Sequence, residues 1–258
     1  MANYYYSGQG TLYFAERDTN GKPKGFISVG NVPELVLNIE TTKFEHKESE
    51  TGSRLTDLTI IKEKKGTFSC SLESLNADNL ALALWGTKTA VAGGSVSAGT
   101  PENIVIPQGA TAGLRFPLAH PTVSSVVVKD PTNVTTYVLD TDYSLDLANG
   151  VIILKTGAIT TAASGGATSI NASYTYAAHS QIDGFTSAAA PERWLRFEGI
   201  NTIDNKRVIV DLFKAQIDPL TDYALINEEL GKASLKGSLL ADLLQTGNSK
   251  FFRQMNVT

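Results

Sequence analysis

A chain of 258 residues with 42% hydrophobic content can bury a large core and can hold one large domain or two small ones. Charged residues make up only 19%, and the formal net charge of −4 excludes the basic balance of a dedicated nucleic-acid binder. The single cysteine, Cys70, excludes an internal disulfide framework and a cysteine-ligated zinc site.

The opening residues carry neither a basic nor an apolar leader segment, so no secretory signal is expected. Tyr4, Tyr5 and Tyr6 form an amphipathic arm, and terminal arms stay ordered only when tied down. A neighbouring chain is the expected anchor. Thr11 to Glu16, a turn at Asp18-Thr19-Asn20-Gly21, and Phe26 to Val29 predict a hairpin.

The stretch from Asn31 to Gly86 organises the rest. Glu34 to Lys43 alternates, with Leu35, Leu37 and Ile39 on one face and Asn38, Glu40 and Thr42 opposite, as in a half-buried strand. A return strand is predicted over Asp57 to Glu63. After Gly66 a further strand places Phe68, Cys70 and Leu72 on one face, which makes Cys70 a small core residue. Between the paired strands, Phe44 to Arg54 forms a loop longer than a hairpin needs. Its charges, Glu45, Lys47, Glu48, Glu50 and Arg54, suggest a contact loop. A short helix follows, capped by Asn76, stapled by Leu75 and Leu80, and ended by Gly86 as its left-handed residue.

Gly30-Asn31-Val32-Pro33, Lys47-Glu48-Ser49-Glu50-Thr51-Gly52 and Asn79-Leu80-Ala81-Leu82-Ala83-Leu84-Trp85-Gly86, in this order and spacing, resemble the major tail tube protein of long-tailed bacteriophages. The resemblance covers roughly Gly8 to Gly86 and Trp194 to Asp242. It implies a mainly β, tail-tube-type β-sandwich or barrel with one short helix, polymerising as stacked hexameric rings around a channel for the genome. It also implies that the charged loop reaches an adjacent subunit or ring, so the stacking contact is expected there.

From Val91 to Ala190 the character changes. The basic residues there are Arg115, Lys129 and Lys155, against acidic Glu102, Asp130, Asp140, Asp142, Asp146 and Asp183. Ala92-Gly93-Gly94-Ser95 reads as a flexible entry. Short strands are predicted at Ile104 to Ile106, Val123 to Val128, Thr136 to Leu139, Val151 to Leu154 and Ile170 to Tyr176, with Gly165-Gly166 in a loop. Asp142-Tyr143-Ser144-Leu145-Asp146, Asn149-Gly150-Val151-Ile152 and Ser173-Tyr174-Thr175-Tyr176 resemble small β modules inserted in phage structural proteins. Residues 91–190 are therefore expected to be an inserted β-rich subdomain, and residues 1–90 with 191–258 the core. In that core, Trp194 to Gly199 and Arg207 to Asp218 predict strands, Leu220 to Leu230 is ambiguous, and Ala233 to Leu239 alternates as a last strand.

Catalytic and metal signatures find little footing. His46, His120 and His179 lack zinc spacing, and neither a nucleophile elbow nor a phosphate loop is present. Asp140, Asp142 and Asp146 match three positions of a calcium loop but lack its glycine and its glutamate, so turn capping is expected instead. Lys62-Glu63-Lys64-Lys65 reads as a guarded sheet edge. The chain is expected to be no enzyme and to need no cofactor or metal. Its expected partners are copies of itself, other tail proteins, and DNA passing without specific binding, because phosphate is held by Lys and Arg. The longest apolar run, Leu80 to Trp85, is too short for a bilayer, so no membrane partner is expected. A neutral to acidic lumen is expected, with Glu40 and Asp211 as lining candidates. The expected location is the virion tail, assembled in the host cytoplasm. The alternatives are another virion component, such as a capsid decoration or tail-end protein, and a carbohydrate-binding or enzymatic module.

Overall fold

The computed structural model describes residues 5–257. Seventeen strands and two helices follow one another among these residues. They are β1 (Gly8–Ala15), β2 (Ile27–Ser28), β3 (Glu34–Lys47), β4 (Thr56–Leu72), α1 (Ala77–Ala83), β5 (Thr87–Val91), β6 (Gly94–Val96), β7 (Glu102–Ile106), β8 (Arg115–Pro117), β9 (Val123–Lys129), β10 (Tyr143–Asp146), β11 (Val151–Leu154), α2 (Ala158–Gly165), β12 (Thr168–Tyr176), β13 (His179–Asp183), β14 (Glu192–Asn201), β15 (Arg207–Ile217), β16 (Ala233–Leu239) and β17 (Phe252–Asn256). The protein is mainly β, with 49% strand and 6% helix. The chain divides into two compact units, one formed by the segments up to Lys88 and from Ile182 onward, the other by Thr89–Gln181.

The first unit holds one eight-stranded sheet in the order β2-β1-β14-β15-β16-β4-β3, with β17 added to β15. Its pairings are antiparallel. Leu12 and Phe14 of β1 share a core with Phe68, Cys70 and Leu72 of β4, although β14, β15 and β16 lie between them on the sheet. The sheet therefore bends back on itself around one apolar interior, in which Leu195, Ile217 and Leu235 are fully buried.

Two local readings are corrected here. Gly66 does not divide two strands. β4 runs unbroken for 17 residues, and Gly66 pairs with both Ile39 and Leu239. A Cβ on Gly66 would lie 3.0 Å from the Leu239 side chain, so the glycine makes room for packing rather than for a turn. At the end of α1 the left-handed residue is Trp85 (φ 50°), not Gly86. The Gly86 amide donates to Ala81 O (2.7 Å) and the Trp85 amide to Leu82 O (3.3 Å), the paired bonds of a Schellman ending. The Trp85 indole N–H donates to Ile217 O at 3.0 Å and anchors the ring despite its backbone strain. Gly86 is needed for a close approach, since a Cβ there would meet Asp183 O at 2.6 Å. The start of α1 is as read, with Asn76 Oδ1 accepting from the amides of Asp78 (3.1 Å) and Asn79 (2.9 Å).

The second unit contains a β10-β11-β8 sheet and a β6-β12-β7 sheet that β9 joins through β12. Ile106, Val128, Ile152, Ile159 and Ile170 are fully buried in its separate core. Ala158–Gly165 is a helix, and Gly165 is its last residue rather than part of a loop. Ile159 and Ala163, one turn apart, are its buried pair. Thr136 to Leu139 makes only isolated bridges, to Lys129 and Tyr143, instead of a strand. β5 and β13 pair with each other as a two-stranded ladder.

Candidate assembly interface

β3 and β4 form a hairpin whose inner part belongs to the core and whose outer part leaves it. Leu35 and Leu37 of β3 face the core with Phe68 and Cys70 opposite them. From residue 38 to 47 on β3 and from 56 to 65 on β4, every residue is exposed, so both faces of the ribbon are open. The edges are open too. β16 pairs with β4 only over Gly66–Leu72, and β3 is the last strand of the sheet. A two-stranded ribbon with two bare faces and two bare edges is marginal alone and is a template for further strands.

The ribbon carries apolar side chains that its polar loop does not explain. Phe44 stands opposite Ile60, and His46 opposite Leu58. The register shift between Thr42 and Lys43 leaves Lys62 unopposed on β4, and this bulge brings Ile60 and Leu58 onto the face of Phe44. Lys62 Nζ lies over the Phe44 ring, 4.7 Å from its centre. His46 Nδ1 sits 2.6 Å from Asp57 Oδ1, and this bond holds the Asp57 carboxyl below the usual carboxylate range.

The charged loop is shorter than the sequence suggested. Glu45 and Lys47 lie within β3, paired with Thr59 and Thr56, because the ladder continues to the point where a compact tip closes it. That tip is ordered from within by Glu48. Its carboxylate accepts from the amides of Glu50 (2.7 Å), Thr51 (2.9 Å) and Leu55 (3.2 Å) and from the Thr51 hydroxyl. The Glu48 amide donates to Leu55 O at 2.8 Å. The Thr51 hydroxyl and these amides lower the Glu48 pKa to about 2. Glu48 is therefore an internal cap, and the tip needs no neighbour in order to be ordered. Glu50 and Arg54 remain exposed on it.

The sheet face opposite the core is a polar wall. Ser234, Ser71 and Glu34 lie in register across β16, β4 and β3, followed by Lys236, Ser69 and Val36 and then by Ser238, Thr67 and Asn38, and Glu40 pairs with Lys65 further out. Asp211 does not belong to any open face. It is fully buried, with Oδ1 taking Arg196 Nη1 at 3.1 Å and Oδ2 taking Arg253 Nη2 at 2.8 Å. A carboxylate locked between two guanidinium groups inside the chain cannot line a channel, and that expectation is withdrawn.

Tyr4 lies outside the described residues. Tyr5 and Tyr6 expose their rings, while the backbone beside them is held by this chain's own Asn201, whose Nδ2 donates to Tyr5 O (3.0 Å) and whose Oδ1 accepts from the Ser7 amide (2.9 Å). Among the described residues, no group of three or more His, Cys, Asp or Glu is arranged for a metal. Asp142 instead accepts from the amides of Val138 (2.8 Å) and Ala158 (2.7 Å), while Asp146 binds Arg115 and Asn149. His120 stacks on Tyr176 at 3.7 Å. No helix among the described residues is long and apolar enough to cross a membrane. A cleft of about 540 Å³ beside α1 is lined by Phe14, Phe26, Leu82 and Trp85, with Glu16, Lys24, Asp78 and Arg193 among its polar residues.

Sequence reading passed over a second exposed feature. The connection between β15 and β16 forms neither helix nor strand, and every residue from 221 to 230 is exposed. Leu225, Ile226 and Leu230 stand in solvent with Glu228 and Glu229 among them. Their lack of period two or of a helical stripe hid them.

Residues 5–255 match the model of the family described as protein of unknown function UCP028589, and the chain belongs to that family. It is also similar to a tail sheath protein of Burkholderia phage BcepMu, 47% identical over 64 residues. That similarity covers 24% of this chain and spans only 13% of the relative's length.

Proposed function

We propose that the chain is a structural protein of a phage tail, and more specifically the subunit of the tail tube, acting without catalysis or cofactor. The open β3–β4 ribbon carries this reading, because a ribbon bare on both faces and both edges is satisfied when neighbouring copies continue its sheet. The similarity to a tail sheath protein supports the coarser part, a place in the tail among other tail proteins and hence in the virion. In the finer reading, six copies close a ring, rings stack, and the hydroxyl-rich wall with Glu40 faces the channel. The wall's hydroxyl and amide groups hold phosphate weakly, and Glu34 and Glu40 offset the two lysines it carries, Lys236 and Lys65. The exposed Glu50 and Arg54 of the tip, with Glu45 and Lys47 on the strand below, would meet the next ring, and Tyr5 and Tyr6 an adjacent copy. The second unit, having its own core, would be dispensable for polymerisation.

Electron microscopy of the purified protein tests the proposal. Stacked rings with a central channel are expected. Separate single subunits at all concentrations and salt conditions would overturn it. A wide, helically wound sleeve instead of a narrow tube would favour a sheath-type component, the reading that the similarity to a tail sheath protein supports.

A further inference from the structure

The segment joining β15 to β16 has the composition of a strap that another surface covers. Ile226 is 96% exposed, Leu225 79% and Leu230 78%, an arrangement costly to leave in water. The segment is irregular, bending at Leu225–Ile226 and again at Glu228–Glu229, and only Asn227 separates the apolar pair from the acidic pair. The outer half of β4 has the complementary order. Leu58, Ile60 and Ile61 come first, each about half exposed, and Lys62, Glu63, Lys64 and Lys65 follow, a run that is basic on balance.

We infer that the strap of one copy lies along the free outer edge of β4 of a second copy, its apolar half on the apolar half and its acidic half on the lysines. This rests on the self-assembly reading above and names the contact that builds the assembly. The direction follows from the order of residues. Leu225 precedes Glu228 by the same three positions that separate Ile61 from Lys64, so in a parallel pairing Leu225 lies beside Ile61, Asn227 beside Glu63, Glu228 beside Lys64 and Glu229 beside Lys65. The backbone of β4 from 56 to 65 has no strand on that edge among the described residues, so an added segment gains ladder bonds as well as side-chain contacts. Strap and edge are different surfaces of the same chain. The contact is therefore head-to-tail, the type that closes rings or propagates filaments.

Charge reversal tests this with full-length protein. The variants are Glu228→Lys with Glu229→Lys on the strap, and Lys64→Glu with Lys65→Glu on the edge. All four side chains are exposed, and circular dichroism checks that each variant is folded. Each variant alone is expected to need about a tenfold or higher concentration to assemble, followed by sedimentation. An equimolar mixture should recover assembly close to wild type, because each reversed strap then meets a reversed edge and each native strap a native edge. Wild-type behaviour of either folded variant, or no recovery on mixing, would overturn the strap contact and leave self-assembly standing. A wild-type protein that never assembles would overturn the self-assembly reading, and the strap contact with it. Assembly of wild type only after addition of a different tail protein would assign the strap to that protein and overturn the same-chain contact.

Discussion

The apolar face of the open ribbon should contribute to assembly and not to folding, and a triple variant separates the two. Phe44, Leu58 and Ile60 are 42%, 51% and 50% exposed in the single chain. Full burial of such a side chain is worth ~1.5–3 kcal/mol, so covering the exposed half adds about 1 kcal/mol each, about 3 kcal/mol in all. Changing all three to Ser should therefore weaken each subunit contact by about a hundredfold, since about 1.4 kcal/mol is a factor of ten. The folded chain loses far less, chiefly the Phe44–Ile60 cross-strand pair at ~0.2–1 kcal/mol. The assay is the concentration at which the protein sediments as polymer, measured beside the thermal midpoint of the unassembled chain. A raised assembly concentration with a midpoint lowered by only a few degrees is expected. An unchanged assembly concentration would refute the argument that neighbours cover this face.

Asp211→Ala removes a fully buried carboxylate from between Arg196 and Arg253. Because both guanidinium groups reach solvent and can rehydrate, the loss should be about 2–3 kcal/mol rather than the full cost of a stranded buried charge, read as a lowered denaturant midpoint. Burial pushes the Cys70 thiol up to about 12, so a thiol-reactive disulfide should label it only at the rate of unfolding; rapid labelling of the native chain would place it elsewhere than in the core. Glu48 has its pKa lowered in the folded tip, so its contribution to tip order is complete above the ordinary value of 4.5 and is lost as pH falls toward 2. The protection of the Glu50 and Thr51 amides, taken as exchange relative to the intrinsic rate at each pH, should fall across that window and be reduced at neutral pH in Glu48→Gln.

Strands whose side chains alternate between core and solvent were legible because the period itself is in the sequence. The inner halves of β3 and β4, β12 and β16 follow from it, while Ile39, read on the buried face, is exposed because the ribbon leaves the core there. α2 was not legible, since its buried stripe is only Ile159 and Ala163 in a run of small residues ending at Gly165. The polar identity of Asp211 pointed outward, but its two cationic partners come from β14 and β17, and only the assembled sheet brings them together. The tip illustrates the same limit on a smaller scale. Five charges suggested a reaching loop, yet one of them, Glu48, binds the loop to itself. No local pattern separates a carboxylate that caps amides from one that waits for a partner.

These differences relocate the assembly energetics from the tip to the shaft of the hairpin. A loop that had to be ordered by a neighbour would forfeit ~1–2 kcal/mol of backbone entropy per residue at the moment of contact. With Glu48 holding four donors, that cost is already met when the chain folds. The tip can therefore present Glu50 and Arg54 in a fixed shape, but exposed ion pairs of this kind add only ~0–1 kcal/mol and are screened by salt. The shaft differs in kind. It leaves ladder groups unpaired along two edges and keeps Phe44, Leu58, Ile60 and Ile61 in water, and neither deficit is repaired among the described residues. In the proposed assembly, the strength of subunit contacts would come from the shaft and from whatever segment covers it, with the tip setting their register.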